Sequence, residues 1–306
     1  MAHTLFTPEQ AARATLETLR YLSVLPRTVR MDFANEFVAG RGQTVNVLGP
    51  VTAGTAKKYT KANRAARDAI QFNELDQAWF PVTLEDQLYN AIRLPDDWAT
   101  FTLSDITSQV LAPQAQSVVD GLAAPLVTEF GKIAADTAAA VTVAADGTSN
   151  VLKGIIRLNQ VLNDRKVPRA GRTLAVGTDW EAALLNLPQL QKVNEAGDSG
   201  NMLRQATIGN LFGFQIIVAP ELASNKAVAY HRDAFAFVTR PSRVPEGAPH
   251  GAVIAQDGFA LRHIMQYNPL QLEDQSIVDT FYGAATLDAN RAVAATISVA
   301  TGGTGE

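Results

Sequence analysis

One tetrapeptide in the chain has the residue types of a nucleophilic site. Gly197-Asp198-Ser199-Gly200 is the sequence that surrounds the nucleophile of many serine proteases. A serine hydroxyl is a weak nucleophile unless a general base activates it, so Ser199 would need such a base within hydrogen-bond reach and an oxyanion hole. Four histidines are available in the sequence, His3, His231, His250 and His263.

The sequence around Ser199 departs from that of a protease. Asn201-Met202 follows, where the protease motif continues with glycine and proline. The protease fold is an all-β barrel in which the base precedes the serine, and here the only upstream histidine is His3. We therefore interpret this stretch as a mobile surface loop. An α/β hydrolase with Ser199 as nucleophile remains the alternative from a different functional class.

The other polar motifs do not form a recognisable site. The histidines show neither HxH nor HExxH spacing and the chain has no cysteine, so we expect no metal site. Asp96-Asp97 and Glu273-Asp274 are adjacent carboxylates, whose side chains point apart in a strand. No phosphate-binding loop is present, and we interpret the glycines of Gly209–Gly213 as positions for a turn and close packing. We expect no cofactor and no catalytic residue.

Composition predicts a folded protein that works without disulfides. Of 306 residues, 47% are apolar and 18% are charged, and the absence of cysteine suits a reducing compartment. The first thirty residues lack the apolar core of a secretory signal, and no run approaches the length of a membrane helix. The net charge of −4 argues against a large surface that binds phosphates.

One short segment is basic although the chain is acidic. The stretch 51–68 has a balance of +4, which leaves −8 for the remainder. Its cations are Lys57, Lys58, Lys61, Arg64 and Arg67. A solvated flexible loop would explain this segment, and so would a projecting arm that lies on another protein.

Two strands flank the basic segment. Gln43–Pro50 has a strand pattern closed by Gly-Pro, and Phe80, Val82 and Leu84 alternate in a second strand. Pro81 lacks an amide donor and suits an edge position. If the two strands pair, their connection of nearly thirty residues is far longer than a hairpin loop.

A long helix is predicted from Ser104 onward. Its apolar residues recur mostly at steps of four, which indicates one buried face and a length of about 45 Å if about thirty residues take part. Pro113 and Pro125 interrupt this pattern, so we expect a start near Pro113 or a kink at one of the two prolines.

The rest of the chain alternates helical and extended segments, and the fold class is α+β. We predict a short helix from Thr7, a helix over Val151–Leu162 and another over Asp179–Leu185. The predicted strands are Arg172–Gly177, Phe214–Val218, Ala227–Tyr230, Phe235–Thr239, Ala252–Ala255, Phe259–Tyr267, Ser276–Tyr282 and Ala292–Val299, with a turn at Asn268-Pro269.

In this order, the segments resemble the major capsid proteins of tailed bacteriophages, whose coat fold also occurs in encapsulins and herpesvirus capsid floors. The matching pieces are the N-terminal arm, the strand pair with its long basic loop, and the long helix. Ile208–Val218 is similar to the glycine-rich turn and apolar strand of the axial domain, and Phe235–Val238 to the strand that follows it. Tyr282-Gly283 looks like the turn that closes the peripheral-domain hairpin.

The resemblance implies a division of the chain into structural parts. These are an N-terminal arm (1–42), an extended loop (43–84), a peripheral domain with its spine helix (85–148), an axial domain (149–250), a peripheral-domain β-hairpin (251–285), and an axial return strand with a C-terminal tail (286–306). The intervals leave no room for an inserted accessory domain or an N-terminal scaffolding segment.

The resemblance also implies a structural function. We expect copies of the chain to form hexamers and pentamers of an icosahedral shell that encloses double-stranded DNA without sequence-specific binding and without a membrane. Scaffolding, portal and decoration proteins would be partners, and assembly would take place in the host bacterial cytoplasm. The five cations would contact a neighbouring subunit, with Glu273 and Asp274 as candidate acceptors. An encapsulin-type cage and another virion component, such as a tail or decoration protein, are the alternatives.

Overall fold

The structure, a computed structural model, describes residues 25–31, 44–49, 51–76, 79–84, 86–97, 107–144, 149–187, 209–247, 250–256 and 259–299. The predicted helix from Thr7, the beginning of the predicted long helix at Ser104, and Ser199 with its flanking glycines lie outside the described residues.

Helices and strands are mixed along the described residues, as the α+β prediction requires. The helices are α1 (Lys61–Ala66), α2 (Ala112–Gly131), α3 (Val151–Asp164) and α4 (Thr178–Leu185). The strands are β1 (Thr44–Leu48), β2 (Thr52–Ala53), β3 (Leu75–Asp76), β4 (Trp79–Thr83), β5 (Asp86–Pro95), β6 (Val141–Val143), β7 (Arg172–Val176), β8 (Asn210–Leu211), β9 (Phe214–Val218), β10 (Lys226–His231), β11 (Phe235–Arg240), β12 (His250–Gln256), β13 (Phe259–Asn268), β14 (Glu273–Thr286) and β15 (Ala292–Val299). Short 3₁₀ turns lie at Pro26–Thr28, Thr137–Ala139, Arg232–Ala234 and Ala289–Arg291.

A six-stranded sheet supports α3 and α4. Its order is β6-β15-β10-β7-β9-β8, with β7–β9 and β15–β6 parallel and the other pairs antiparallel. Side chains alternate between the two faces of a strand. One face packs under the two helices, where Leu158, Leu174 and Trp180 are fully buried. The apolar stripe that predicted a helix from Val151 is therefore the face that α3 turns toward this sheet.

A second sheet is built around the longest strand. Its order is β11-β14-β13-β12, and β5 also pairs with β14. Helix α2 lies against β14 and β5. The ring of Phe130, at the end of α2, is 5.0 Å from that of Tyr230 in β10 and 4.8 Å from that of Phe235 in β11. One aromatic cluster therefore joins the helix to both sheets.

The long helix is shorter than the sequence pattern predicted. Helix α2 has 20 residues, which corresponds to about 30 Å. A π-helical turn, Thr107–Leu111, precedes it. Pro113 is in the first turn of α2, where a missing amide costs little, and Pro125 lies inside the helix. The expected start near Pro113 is confirmed, while the length of about thirty residues is wrong for the α-helix itself.

Most of the predicted strands are present, but one predicted turn is wrong. Phe214–Val218 and Ala292–Val299 have the predicted bounds, and the turn at Asn268-Pro269 joins β13 to β14. Tyr282-Gly283 lies inside β14, opposite Thr239 and Val238 of β11. Gly283 therefore lies in a strand. Glycine is required there because another backbone approaches closely, as described below.

A buried polar chain joins α2 to the second sheet. Gln114 donates its side-chain amide to the carbonyl oxygen of Ser276 (3.0 Å) and accepts from the Ser276 hydroxyl (2.9 Å). The Ser276 oxygen is 3.1 Å from Nε2 of His263. Since the serine proton goes to Gln114, Nε2 of His263 carries the proton and donates to Ser276. Nδ1 of His263 is buried without a partner among the described residues.

This arrangement makes the stability of the subunit depend on pH. Burial lowers the pKa of His263 from 6.5 to about 4, because the charged ring would place a second N–H in an apolar surrounding. The unfolded chain therefore takes up the proton first as the pH falls. The contribution of neutral His263 to the free energy of unfolding is fully present above pH 6.5. It decreases by about 3 kcal/mol as the pH falls from 6.5 toward 4.

We predict that His263→Gln removes this part of the pH dependence. Unfolding by denaturant, measured on wild type and variant at pH 7 and at acidic pH, should show a smaller loss of stability for the variant. The carboxylates titrate equally in both proteins, so the difference between the two slopes isolates His263. Equal slopes would contradict the assignment.

Candidate functional site

The basic segment is carried on an arm. Strands β1 and β4 pair in antiparallel fashion from Thr44 opposite Thr83 to Leu48 opposite Trp79, as the resemblance implied. Strands β2 and β3 pair further out, and α1 lies beyond them. Pro81 lies opposite Asn46 in a two-stranded sheet. Each strand of such a sheet has one unpaired edge, where a residue without an amide N–H is tolerated.

Side-chain hydrogen bonds define the end of the arm. Thr60 caps α1, and its hydroxyl accepts from the amide of Asn63 while the Asn63 side chain accepts from the amide of Thr60. The Tyr59 hydroxyl donates to the carbonyl oxygen of Asp68 (2.8 Å), which closes the loop behind the helix. Arg67 ends the helix with a φ of 55°.

All five predicted cations lie at this end and are exposed. Lys57 and Lys58 precede α1, Lys61 and Arg64 are in it, and Arg67 ends it. Within the described ranges, none of the five forms an ion pair. The structure thus brings them together in a single basic tip, which we define as these five residues.

The sequence analysis missed an apolar surface on the same arm. Ile70, Phe72, Leu75 and Trp79 are 68%, 89%, 73% and 63% exposed. Ile70 and Phe72 precede β3, which begins at Leu75, and Trp79 begins β4. Large apolar side chains that are this exposed and this close in sequence mark a surface that another molecule covers. The presence of four large apolar residues within ten positions of an otherwise polar segment was the sequence signal that could have indicated this surface. We call these four residues the apolar row.

The base of the arm packs tightly on the second sheet. Val47 and Val82 are fully buried, in a cluster with Ala236 and Val238 of β11. A Cβ atom at Gly283 would lie 2.6 Å from the carbonyl oxygen of Thr83. Gly283 therefore lets the end of β4 approach β14, and the arm leaves the body at a fixed place.

The two candidate acceptors differ in their surroundings. Glu273 is 7% exposed, accepts from Nε2 of Gln275 (2.8 Å) and lies 3.7 Å from Nε of Arg93. Asp274 is half-buried beside the end of β5, where Asp96 accepts from the Tyr267 hydroxyl (3.0 Å). Glu273 is buried and Asp274 is half-buried, so Asp274 is the more accessible of the two.

His231 and His263 are structural. Nδ1 of His231 accepts from the backbone amide of Asp233 (3.2 Å), and burial lowers the pKa of His231. No group of histidine and carboxylate side chains in the described ranges is arranged to hold a metal ion. No helix in that part of the chain is long and apolar enough to cross a membrane.

The glycines of the stretch 209–213 form a turn. Gly209 and Gly213 have φ values of +63° and +83°, which glycine adopts without strain. The predicted turn is therefore confirmed. Close packing is not, because a Cβ at either position would meet nothing within 4 Å among the described residues.

A family model described as "Phage capsid protein" matches residues 96–280, which is more than half of the chain. Among curated proteins, none matches the chain.

Solved structures share the fold over most of their length. A structure from Mycobacterium phage Che8 is 18% identical, with 89% of this chain and 90% of that chain covered and a TM-score of 0.61. One from Gordonia phage Cozz is 14% identical, with 90% and 86% covered and a TM-score of 0.55. A virus-like particle from Pyrococcus furiosus is 12% identical, with 94% and 98% covered and a TM-score of 0.51. The predicted coat fold is confirmed.

We predict that Gly283→Ala loosens the base of the arm. The added methyl group meets a backbone oxygen, so β4 or β14 must shift, at a cost of about 1–3 kcal/mol. Denaturant unfolding measures this loss. Gly131→Ala is the matched control, since its Cβ would meet nothing within 4 Å in the described structure. Equal stability of the two variants would refute the close-approach role of Gly283.

Proposed function

Because the chain belongs to the phage capsid protein family and is a major capsid protein that forms the shell of a virion, we propose that its arm fastens each copy to a neighbouring copy. The observation that carries this proposal is the exposed apolar row, Ile70, Phe72, Leu75 and Trp79. A second subunit would remove these side chains from water.

The apolar row supplies most of the binding free energy in this proposal. Burying one large apolar side chain stabilises a complex by about 1.5–3 kcal/mol. An exposed ion pair contributes about 0–1 kcal/mol, and salt screens it. The five cations of the basic tip therefore contribute less binding free energy than the four residues of the apolar row.

The basic tip instead guides the arm and sets its register. A cationic tip on a chain whose remainder sums to −8 is attracted to acidic surfaces of other copies before contact. The candidate acceptors lie where β5 ends beside the β13–β14 turn, with Asp274 more accessible than Glu273. Asp96 and Asp97 follow β5 at the same corner and add to its negative charge.

Repetition around a closed shell makes modest contacts sufficient. Once a subunit is held on one side, its next contact is effectively intramolecular, which raises the effective concentration of the second surface. We propose hexamers and pentamers as the repeating units. The division into arm, extended loop, peripheral and axial parts with the bounds given above belongs to the same proposal.

Further partners follow from the role of the shell. We propose that scaffolding, portal and decoration proteins bind it, that it encloses double-stranded DNA without reading its sequence, and that assembly takes place in the host cytoplasm. The chain would perform no catalysis. The likeness to the Pyrococcus furiosus particle keeps an encapsulin-type cage as the less supported alternative.

We predict that Phe72→Ser with Leu75→Ser impairs assembly while the subunit stays folded. Losing the burial of two such side chains should raise the protein concentration needed for assembly on the order of a hundredfold. Sedimentation and negative-stain microscopy over a concentration series measure this change. The matched control, Phe72→Leu with Leu75→Met, keeps the apolar character and should assemble. Assembly of the serine variant at the wild-type concentration would exclude the apolar row from the interface.

We predict that reversing Lys57, Lys58 and Lys61 to Glu slows or prevents shell formation. The tip itself should stay folded, because a carboxylate at Lys61, the first residue of α1, favours the helix. Light scattering at low and high salt measures the assembly rate. Wild type should slow with added salt, and so should the control with arginine at the three positions. Wild-type kinetics in the reversed variant would remove the basic tip from the assembly pathway.

A further inference from the structure

A cavity lies on the face of the six-stranded sheet that α3 and α4 do not cover. Tyr230 of β10, Thr173 of β7 and Gln215 of β9 stand side by side in one row across three strands. The segment 25–31 and α2 cover the first part of this row, and Tyr230 is fully buried there. Gln215, at the other end, is exposed. Segment 25–31 and α2 do not extend over the whole row, and a cavity of about 410 Å³ lies where they end.

Two arginines from different elements line this cavity. Arg27 comes from the 3₁₀ turn at Pro26–Thr28, and Arg232 begins the turn that follows β10. Thr173 and Gln215 add polar side chains, and Ile217 adds an apolar wall. No carboxylate is among the described residues that line it. The charged residues among the described lining are therefore both cations, although the chain has a net charge of −4.

Hydrogen bonds fix the main chain at both arginines. The amide of Thr28 donates to the carbonyl oxygen of Leu25, and the Tyr230 hydroxyl lies 2.5 Å from the Thr28 hydroxyl. Beyond this turn, Arg30 forms a parallel bridge with Ala236.

At the other arginine, the amide of Arg232 donates to the carbonyl oxygen of Gly171 (3.1 Å). These hydrogen bonds fix the backbone at both arginines, while the two side chains are exposed to solvent and accessible to a ligand.

The donors point to a phosphate group. A guanidinium has five N–H donors, so Arg27 and Arg232 can each bind an anion while keeping the contacts that they make within the chain. A single guanidinium can donate two parallel N–H bonds to one planar carboxylate, so a carboxylate needs only one arginine. Arg27 and Arg232, from two different elements, and the amide of Gln215, in the sheet that forms the floor, supply several separate donors, which suit the several oxygens of a tetrahedral anion.

We propose that this cavity binds a phosphate group through Arg27 and Arg232. The group could belong to inorganic phosphate or a small phosphate ester, or to the backbone of a nucleic acid that passes the cavity. No residue of the arm is among the described residues that line this cavity. A phosphate site at this place is also consistent with the acidity of the chain, because one small site needs no large basic surface.

The test measures binding of inorganic phosphate to the full-length chain by titration calorimetry. Arg27→Gln with Arg232→Gln should weaken binding by about tenfold or more, and so should Gln215→Glu, which places a carboxylate on the floor. Lys153→Gln with Arg243→Gln removes the same charge from exposed positions elsewhere and should leave binding unchanged. Circular dichroism verifies that each variant is folded.

A short DNA duplex distinguishes the two sources of phosphate. If the duplex displaces phosphate from wild type, the group belongs to a nucleic-acid backbone. If phosphate binds and the duplex does not compete, the ligand is small. Absence of saturable phosphate binding by wild type, or an equal loss in the charge-matched control, would overturn the proposal.

Discussion

Backbone pairing along β14 is the interaction on which the rest of the structure depends. This strand hydrogen-bonds to β5, β11 and β13, so it joins the residues after the arm to the last third of the chain. Its side chains continue the connection. Asp279 is 1% exposed and accepts from Nε of Arg262, from the Ser242 hydroxyl and from Gln87, which is 192 residues away in sequence. A carboxylate buried with three donors holds these segments in one relative position.

The same strand fixes the place at which the arm leaves the body. The glycine at 283 admits the backbone of β4, and Val47 and Val82 close over the contact. Further out, the arm has only two-stranded pairing. A two-stranded ribbon alone is marginally stable in water. The position of the arm is therefore determined by its buried base, while its outer half presents side chains that make no core of their own.

Sequence patterns predicted the parts whose signal is local. The strand patterns predicted β9 and β15 with the observed bounds, and the apolar spacing from Val151 predicted α3. Two local patterns predicted β1 and β4, and the resemblance to capsid proteins implied that they pair. Contacts between distant residues were beyond this reasoning. Gly283 was misplaced in a turn because the carbonyl oxygen that requires a glycine belongs to Thr83, 200 positions earlier. The apolar row was missed because the charges of the basic tip dominated the composition of the segment.

The capped end of the arm has a consequence for the speed at which a shell grows. A helix of six residues is too short to persist alone, and here Thr60, Asn63 and Tyr59 hold it in shape before any neighbour arrives. The conformational entropy of this loop is lost while the monomer folds, not at the moment of encounter. Incoming subunits then present a ready-made shape, so addition to a growing edge is governed by diffusion and orientation.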